Sequence, residues 1–250
     1  MKMKKYLLIA GILITATAFG QDDKIDADRP TEAQSAQVVS PGTFQAELGV
    51  RKQQEQGSDV SWQYPEALFR YGLFDRVELR LHTAVESQHF YSENKFSDGV
   101  NPVELGIKAN VFQTKDTSFI AALYGHIGLP RLASKDYRHN TTFYRVRALF
   151  QNKLSEKIKL NTNFGRDWDN NKEQQNWMYA ISPQFEIGEK WEATVEEQAF
   201  FKKNSKPEHF VDGGIGYFVG NNLKLDVNAG KGLGGEAADY FFTAGVSFKL

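Results

Sequence analysis

The stretch YGLFDRVELRL, residues 71–81, decides how this chain is read. Gly72 to Asp75 has the composition of a turn. After it, Val77, Leu79 and Leu81 alternate with Arg76, Glu78 and Arg80. Strict alternation marks a strand with one apolar and one polar face. Such a strand turns its apolar side either into a protein core or outward into lipid, and the remaining sequence must choose.

The same period-two texture starts at Thr43 and continues almost to the end. TFQAELGVR sets Phe44, Ala46, Leu48 and Val50 against Gln45, Glu47 and Arg51, and PVELGIKANVF sets Leu105 and Ile107 against Glu104 and Lys108. KIKLNTNF, LKLDVNAG and YFFTAGVSFKL repeat the pattern. Short links at 72–75, 113–117, 151–157, 188–190 and 220–222 alternate with longer polar links near 52–60, 91–101, 129–140, 169–175, 203–208 and 231–238. These links divide the chain into about twelve up-and-down strands of about 9–13 residues, against roughly 5–6 for an ordinary soluble strand.

A soluble sandwich does not explain the regular alternation of short and long links. A transmembrane barrel requires it, together with an even strand number, an apolar exterior and a polar lumen. The 19 Phe, 10 Tyr and 4 Trp supply the aromatic girdles that such a barrel carries at its two membrane boundaries. Phe74, Phe112, Phe150, Trp191 and Phe218 fall beside the short turns, and Trp62, Tyr64, Phe143, Tyr144, Trp177 and Tyr179 fall toward the other end. Closure also removes the open edges that long strands would present. The expected fold is all-β, a transmembrane antiparallel up-and-down β-barrel with periplasmic termini.

Bulk properties narrow the field further. Mean hydropathy is negative, which excludes a bundle of apolar helices of roughly 20 residues each. A net charge of −1 gives no electrostatic case for nucleic acid. Cysteine is absent, so disulfides, thiolate catalysis and cysteine zinc sites are excluded. Lys2, Lys4 and Lys5 precede the uncharged run YLLIAGILITATAFG, which reads as a secretory signal over residues 1–20 cleaved before Gln21. Residues 21–42 form an irregular lead-in, and 43–250 form the barrel.

Two stretches carry a resemblance. DADRPTEAQSAQVVSPGTFQAELGV (26–50) and LFRYGLFDRVELRL (68–81) resemble the phenol-degradation meta-pathway family of outer-membrane barrels. That resemblance implies a transport role and suggests hydrophobic or aromatic solutes. The terminal AGVSFKL is similar to the C-terminal signal read by the barrel-assembly machinery, with Leu250 where that signal usually ends in Phe.

If the apolar sets face lipid, the polar sets line the lumen. Those positions are Glu47, Glu78, Arg80, His82, Glu104, Lys108, Arg145, Arg147, Lys159, Glu186, Glu196 and Asp226, with Glu192 and Lys224 beside them. Charges of both signs in a narrow lumen must be hydrated or paired. They form either a solute path or a structural filling that fixes the shape of the barrel. Asp26, Asp28 and Arg29 in the lead-in are candidates for a small plug; alternatively DRP makes only a tight turn.

Catalysis and metal binding find little support. Among His82, His89, His126, His139 and His209 no serine partner is legible, and Ser118 is eight residues from His126 along one strand. His89 and Glu93 are a lone pair in an expected loop. GLGGEAAD (232–239) matches neither nucleotide fingerprint and reads as a flexible loop. The expected function is passive, non-enzymatic transport of small molecules across a Gram-negative outer membrane, without cofactor or metal. The alternatives are a closed barrel that displays its loops and, less favoured, a lipid-modifying enzyme. The expected partners are outer-membrane lipid and lipopolysaccharide, the barrel-assembly machinery and a small solute, with no nucleic acid.

Overall fold

The computed structural model describes residues 24–91, 94–138, 140–169 and 175–250. The expected signal, His139 and Glu93 lie outside the described residues. The strands are β1 (Phe44–Gln54), β2 (Val60–Phe74), β3 (Val77–Phe90), β4 (Lys95–Val100), β5 (Val103–Gln113), β6 (Phe119–Leu129) and β7 (Phe143–Ser155). They continue with β8 (Ile158–Asp169), β9 (Gln175–Ile187), β10 (Trp191–Lys202), β11 (Glu208–Phe218), β12 (Leu223–Gly235) and β13 (Tyr240–Lys249).

Each strand pairs antiparallel with its neighbours, and β13 pairs with β1 to close the wall. β4 and β5 occupy one position. β3 pairs with β5 over Val77–His82 and with β4 over Val85–Phe90. The interruption falls at Pro102, which has no N–H to donate to a ladder. The wall is therefore a closed twelve-stranded barrel.

Period two fixes which residues face outward. On β3, Glu78 and Arg80 are buried while Leu79 between them is exposed. Leu105, Ile107, Val195, Val227 and Phe242 are likewise exposed large apolar residues, each next to a buried polar one. So broad an apolar exterior is unsuited to water. Trp62, Tyr64 and Trp177 stand exposed toward the long-loop end, and Phe74, Phe112 and Trp191 toward the short-turn end.

Several expectations need correction. The first short turn centres on Asp75 and Arg76, so Arg76 is exposed at the turn rather than along the lumen wall. β4 lies inside the expected long link 91–101, because β3 is long enough to pair with a second, short strand. Phe218 is not a girdle residue: it shares parity with the inward Asp212 and is buried, carrying Lys24 and Lys224 over its ring. Tyr217 takes its outward place, 4.7 Å from Trp191 between ring centroids. Phe143 also faces inward, over Gly128, where a Cβ would collide with its ring. Within 232–239, Ala237 and Ala238 are buried against Phe210 and Phe241, so this loop is pinned into the barrel mouth.

Candidate transport path

Residues 24–42 form no strand, yet they lie inside the barrel at its short-turn end. An irregular segment there must have its backbone groups satisfied by the wall, and the strands supply the partners. Glu196 accepts from the N–H groups of Glu32 and Ala33, at 2.9 and 2.7 Å. Glu47 accepts from those of Asp28 and Arg29, and Glu78 from that of Val39. Asn163 holds both sides of Gln34, accepting at 2.7 Å and donating at 3.0 Å. The carbonyls of Asp26, Arg29 and Pro30 accept from Arg70, Lys224 and Asn228.

The centre of this region is a buried ion cluster. Arg70 donates to Glu47 at 3.1 Å and to both oxygens of Glu78 at 2.9 Å. Arg80 reaches Glu78 and Asp28, each at 2.8 Å. Lys108 lies 3.3 Å from Asp28 and 3.6 Å from Glu78, and donates to the carbonyls of Ser35 and Gln37. The wall contributes three cations (Arg70, Arg80, Lys108) and two anions (Glu47, Glu78), and Asp28 of the lead-in supplies the third anion. Burying charges without such neutralisation is costly.

Arg29 sits across the closing seam. Gly49 of β1 and Gly245 of β13 face each other across that seam. A Cβ on either would come within 2.3 Å of the Arg29 side chain. From this slot Arg29 reaches Glu66 on β2 at 3.2 Å and Asp226 on β12 at 3.1 Å. The DRP sequence also makes a turn at Arg29 and Pro30.

Above the lead-in the lumen opens. A cavity of about 140 Å³ lies between it and a neck framed by His82 and Arg145. At the neck Glu104 faces His82 at 3.6 Å, Arg145 at 3.3 Å and His126 at 3.1 Å. Beyond it a vestibule of about 660 Å³ extends toward the long loops, lined in part by Glu86, Ser97, Tyr137, Arg138 and Trp168. Tyr137 donates to the carbonyl of Ser97. Partial burial, with the Glu86 and Asp98 carboxylates nearby, pushes its hydroxyl up to about 12. Within the lead-in region a gap of about 10 Å³ lies beside Asn161, Ser182 and Thr194, about enough for one water.

The expected lumen residues separate into groups. Glu47, Glu78, Arg80 and Lys108 meet in the central cluster with Asp28. His82, Glu104, Arg145 and Arg147 gather at and below the neck, where Arg145 and Arg147 share Asp167. Glu196 serves backbone donors and Asp226 serves Arg29. Lys159 and Glu186 form a separate, half-exposed pair at 3.3 Å. Asp26 accepts a 2.6 Å hydrogen bond from Ser35. The histidines His82, His126 and His209 face glutamates rather than serine hydroxyls. Arg70, the hub of the cluster, has no place among the sequence candidates. It lies directly across the β2–β3 hairpin from the inward Arg80.

A family model described as "Putative MetA-pathway of phenol degradation" matches residues 27–250. The chain belongs to this family. None of the curated proteins matches its sequence. Among solved structures it is similar to the COG4313 outer membrane channel from Pseudomonas putida F1, with TM-score 0.72 and 11% identity over 88% of this chain and 99% of that one. It is also similar to the KdgM porin (TM-score 0.55, 9% identity, 81% and 98% covered). The NanC porin gives TM-score 0.56 and 11% identity, with 83% and 100% covered. At such identities the likeness is one of fold, and the fold of this family member is that of outer-membrane channels and porins.

Proposed function

We propose that this family member is a non-catalytic channel of a Gram-negative outer membrane that lets small molecules cross down a gradient. The observation that carries the reading is the inverted barrel. An apolar exterior encloses a charged lumen that passes from a wide vestibule through a neck into an inner cavity. A hydrated, charge-lined conduit is how channels admit and select solutes. The expected lumen residues act here as two sets. Those around the neck meet the solute, and those around Asp28 hold the lead-in as a plug. A leaning toward hydrophobic or aromatic solutes is taken from the family description alone. Barrel assembly through the last strand, and lipopolysaccharide around the outer wall, belong to the same proposal.

Conductance of the purified protein in planar bilayers, together with solute uptake into loaded liposomes, tests it. Discrete channel events and uptake are the expected result; their absence from correctly folded protein overturns the transport reading. A second reading, a closed barrel that only displays its loops, is favoured by the nearly filled short-turn half. It predicts no conductance in the intact protein and none after the lead-in is loosened.

A further inference from the structure

The inner cavity is unusually rich in unspent hydrogen-bonding capacity. Arg80 Nε, His126 Nε2, Asn228 Oδ1 and Thr243 Oγ1 are buried without a hydrogen-bond partner, and all four residues line this one space. They come from four different strands and are 3, 6, 5 and 7% exposed respectively. Buried polar groups in folded proteins nearly always have partners, so their convergence on one cavity calls for an occupant.

The charges indicate which kind. Arg51 stacks on the ring of Phe241, 4.2 Å from its centroid, and donates through Nε and Nη2 only to Gln53. Among the described residues it forms no ion pair, which leaves a rigid guanidinium facing the cavity with Nη1 unused. Glu32 of the lead-in lines the same space. Arg51, Arg145 and Arg147 line it too, and among the described residues none of them forms an ion pair with the Glu32 carboxylate. One tethered carboxylate thus shares the cavity with three guanidinium groups and is joined to none. Pro30 and Leu68 add apolar wall.

We propose that this cavity is a binding site for a small organic monocarboxylate. Arg51 and Thr243 hold the carboxylate group, the apolar wall holds the remainder, and Glu32 acts as a built-in competitor that keeps the affinity modest. The proposal rests on the lumen being a solute path and names the class of solute.

Equilibrium titration of the full-length folded protein with butyrate, 1-butanol, butylamine and chloride tests it, alongside liposome uptake of the same compounds. Butyrate is expected to bind saturably at one site, while butanol, butylamine and chloride do not. Arg51→Gln should weaken butyrate by roughly tenfold or more, the worth of one charge-assisted hydrogen bond. Arg51→Lys keeps the charge and loses the planar fork, so it should give an intermediate loss; it also serves if the glutamine variant fails to fold. Glu32→Gln should tighten binding severalfold. Equal binding of butanol, butylamine or chloride, or unchanged butyrate binding in both Arg51 variants, overturns the site. Butyrate uptake without saturable binding overturns the site and leaves the channel standing. Saturable binding without uptake supports the site and overturns the transport reading.

Discussion

At its short-turn end the lumen is filled by chain, whereas at its long-loop end it is filled by space. Both halves are lined with arginine, histidine or lysine and with glutamate or aspartate, all projecting from alternate positions of regular strands. In the lower half, Arg70, Lys108, Glu47 and Glu78 have side chains no more than 1% exposed, and each has its partner. In the upper half, His82 and Arg145 remain 27 and 28% exposed around the neck. The difference lies in the lead-in, not in the wall. Where its backbone and Asp28 enter, wall charges are closed over and fully paired, and where it stops, His82 and Arg145 remain partly exposed.

That contrast can be tested by breaking each half. The largest effect is expected from Arg70→Met, which leaves Glu47 buried without a cation and takes one of three from Glu78, and should cost about 3–5 kcal/mol. The urea midpoint of unfolding, followed by heat-modifiable gel mobility, measures it. Gly49→Leu places a side chain where the Arg29 guanidinium sits. Overpacking should cost about 1–3 kcal/mol, while single-channel conductance rises severalfold as the seam-side lead-in is displaced. At the neck, Arg145→Met should cost less than about 1 kcal/mol, because Glu104 keeps His82 and His126 and Asp167 keeps Arg147, although its conductance should become less anion-selective. An equal stability loss for Arg70→Met and Arg145→Met would show that the two halves are not different in kind. Lys153→Ala, which removes an exposed pair with Glu156 outside the lumen, should stay within about 0.5 kcal/mol and leave conductance unchanged.

The wall was largely legible because period two is a local property, written into each strand. Leu79 against Glu78 and Arg80 needs no distant partner to declare its face. Position near a strand end misleads where parity does not. Phe218 and Phe143 lie near strand ends, as girdle residues do, but their parity sends them inward. Arg70 is hard to read because Pro65 and the register shift between Gln63 and Glu66 obscure the alternation on β2. The lead-in was legible only in its charges. An aperiodic segment has no face of its own, so its path depends on donors and acceptors far away in sequence. That Glu196 and Asn163 would receive its backbone is a property of the closed barrel. The inner cavity was hidden for the same reason, since its unpartnered atoms come from β3 and β6 on one side and from the paired β12 and β13 on the other.

The Arg29 slot carries a consequence for assembly. Its two glycines lie on the first and last strands, and its two carboxylates lie on the strands just outside them. The β1–β2 pair sets Gly49 beside Glu66 and the β12–β13 pair sets Asp226 beside Gly245, but the two sides meet only when β1 has found β13. The arginine can therefore be fully paired only after the wall is sealed, which makes its docking a late step in biogenesis. In the sealed barrel Arg29 latches the lead-in across the seam from within.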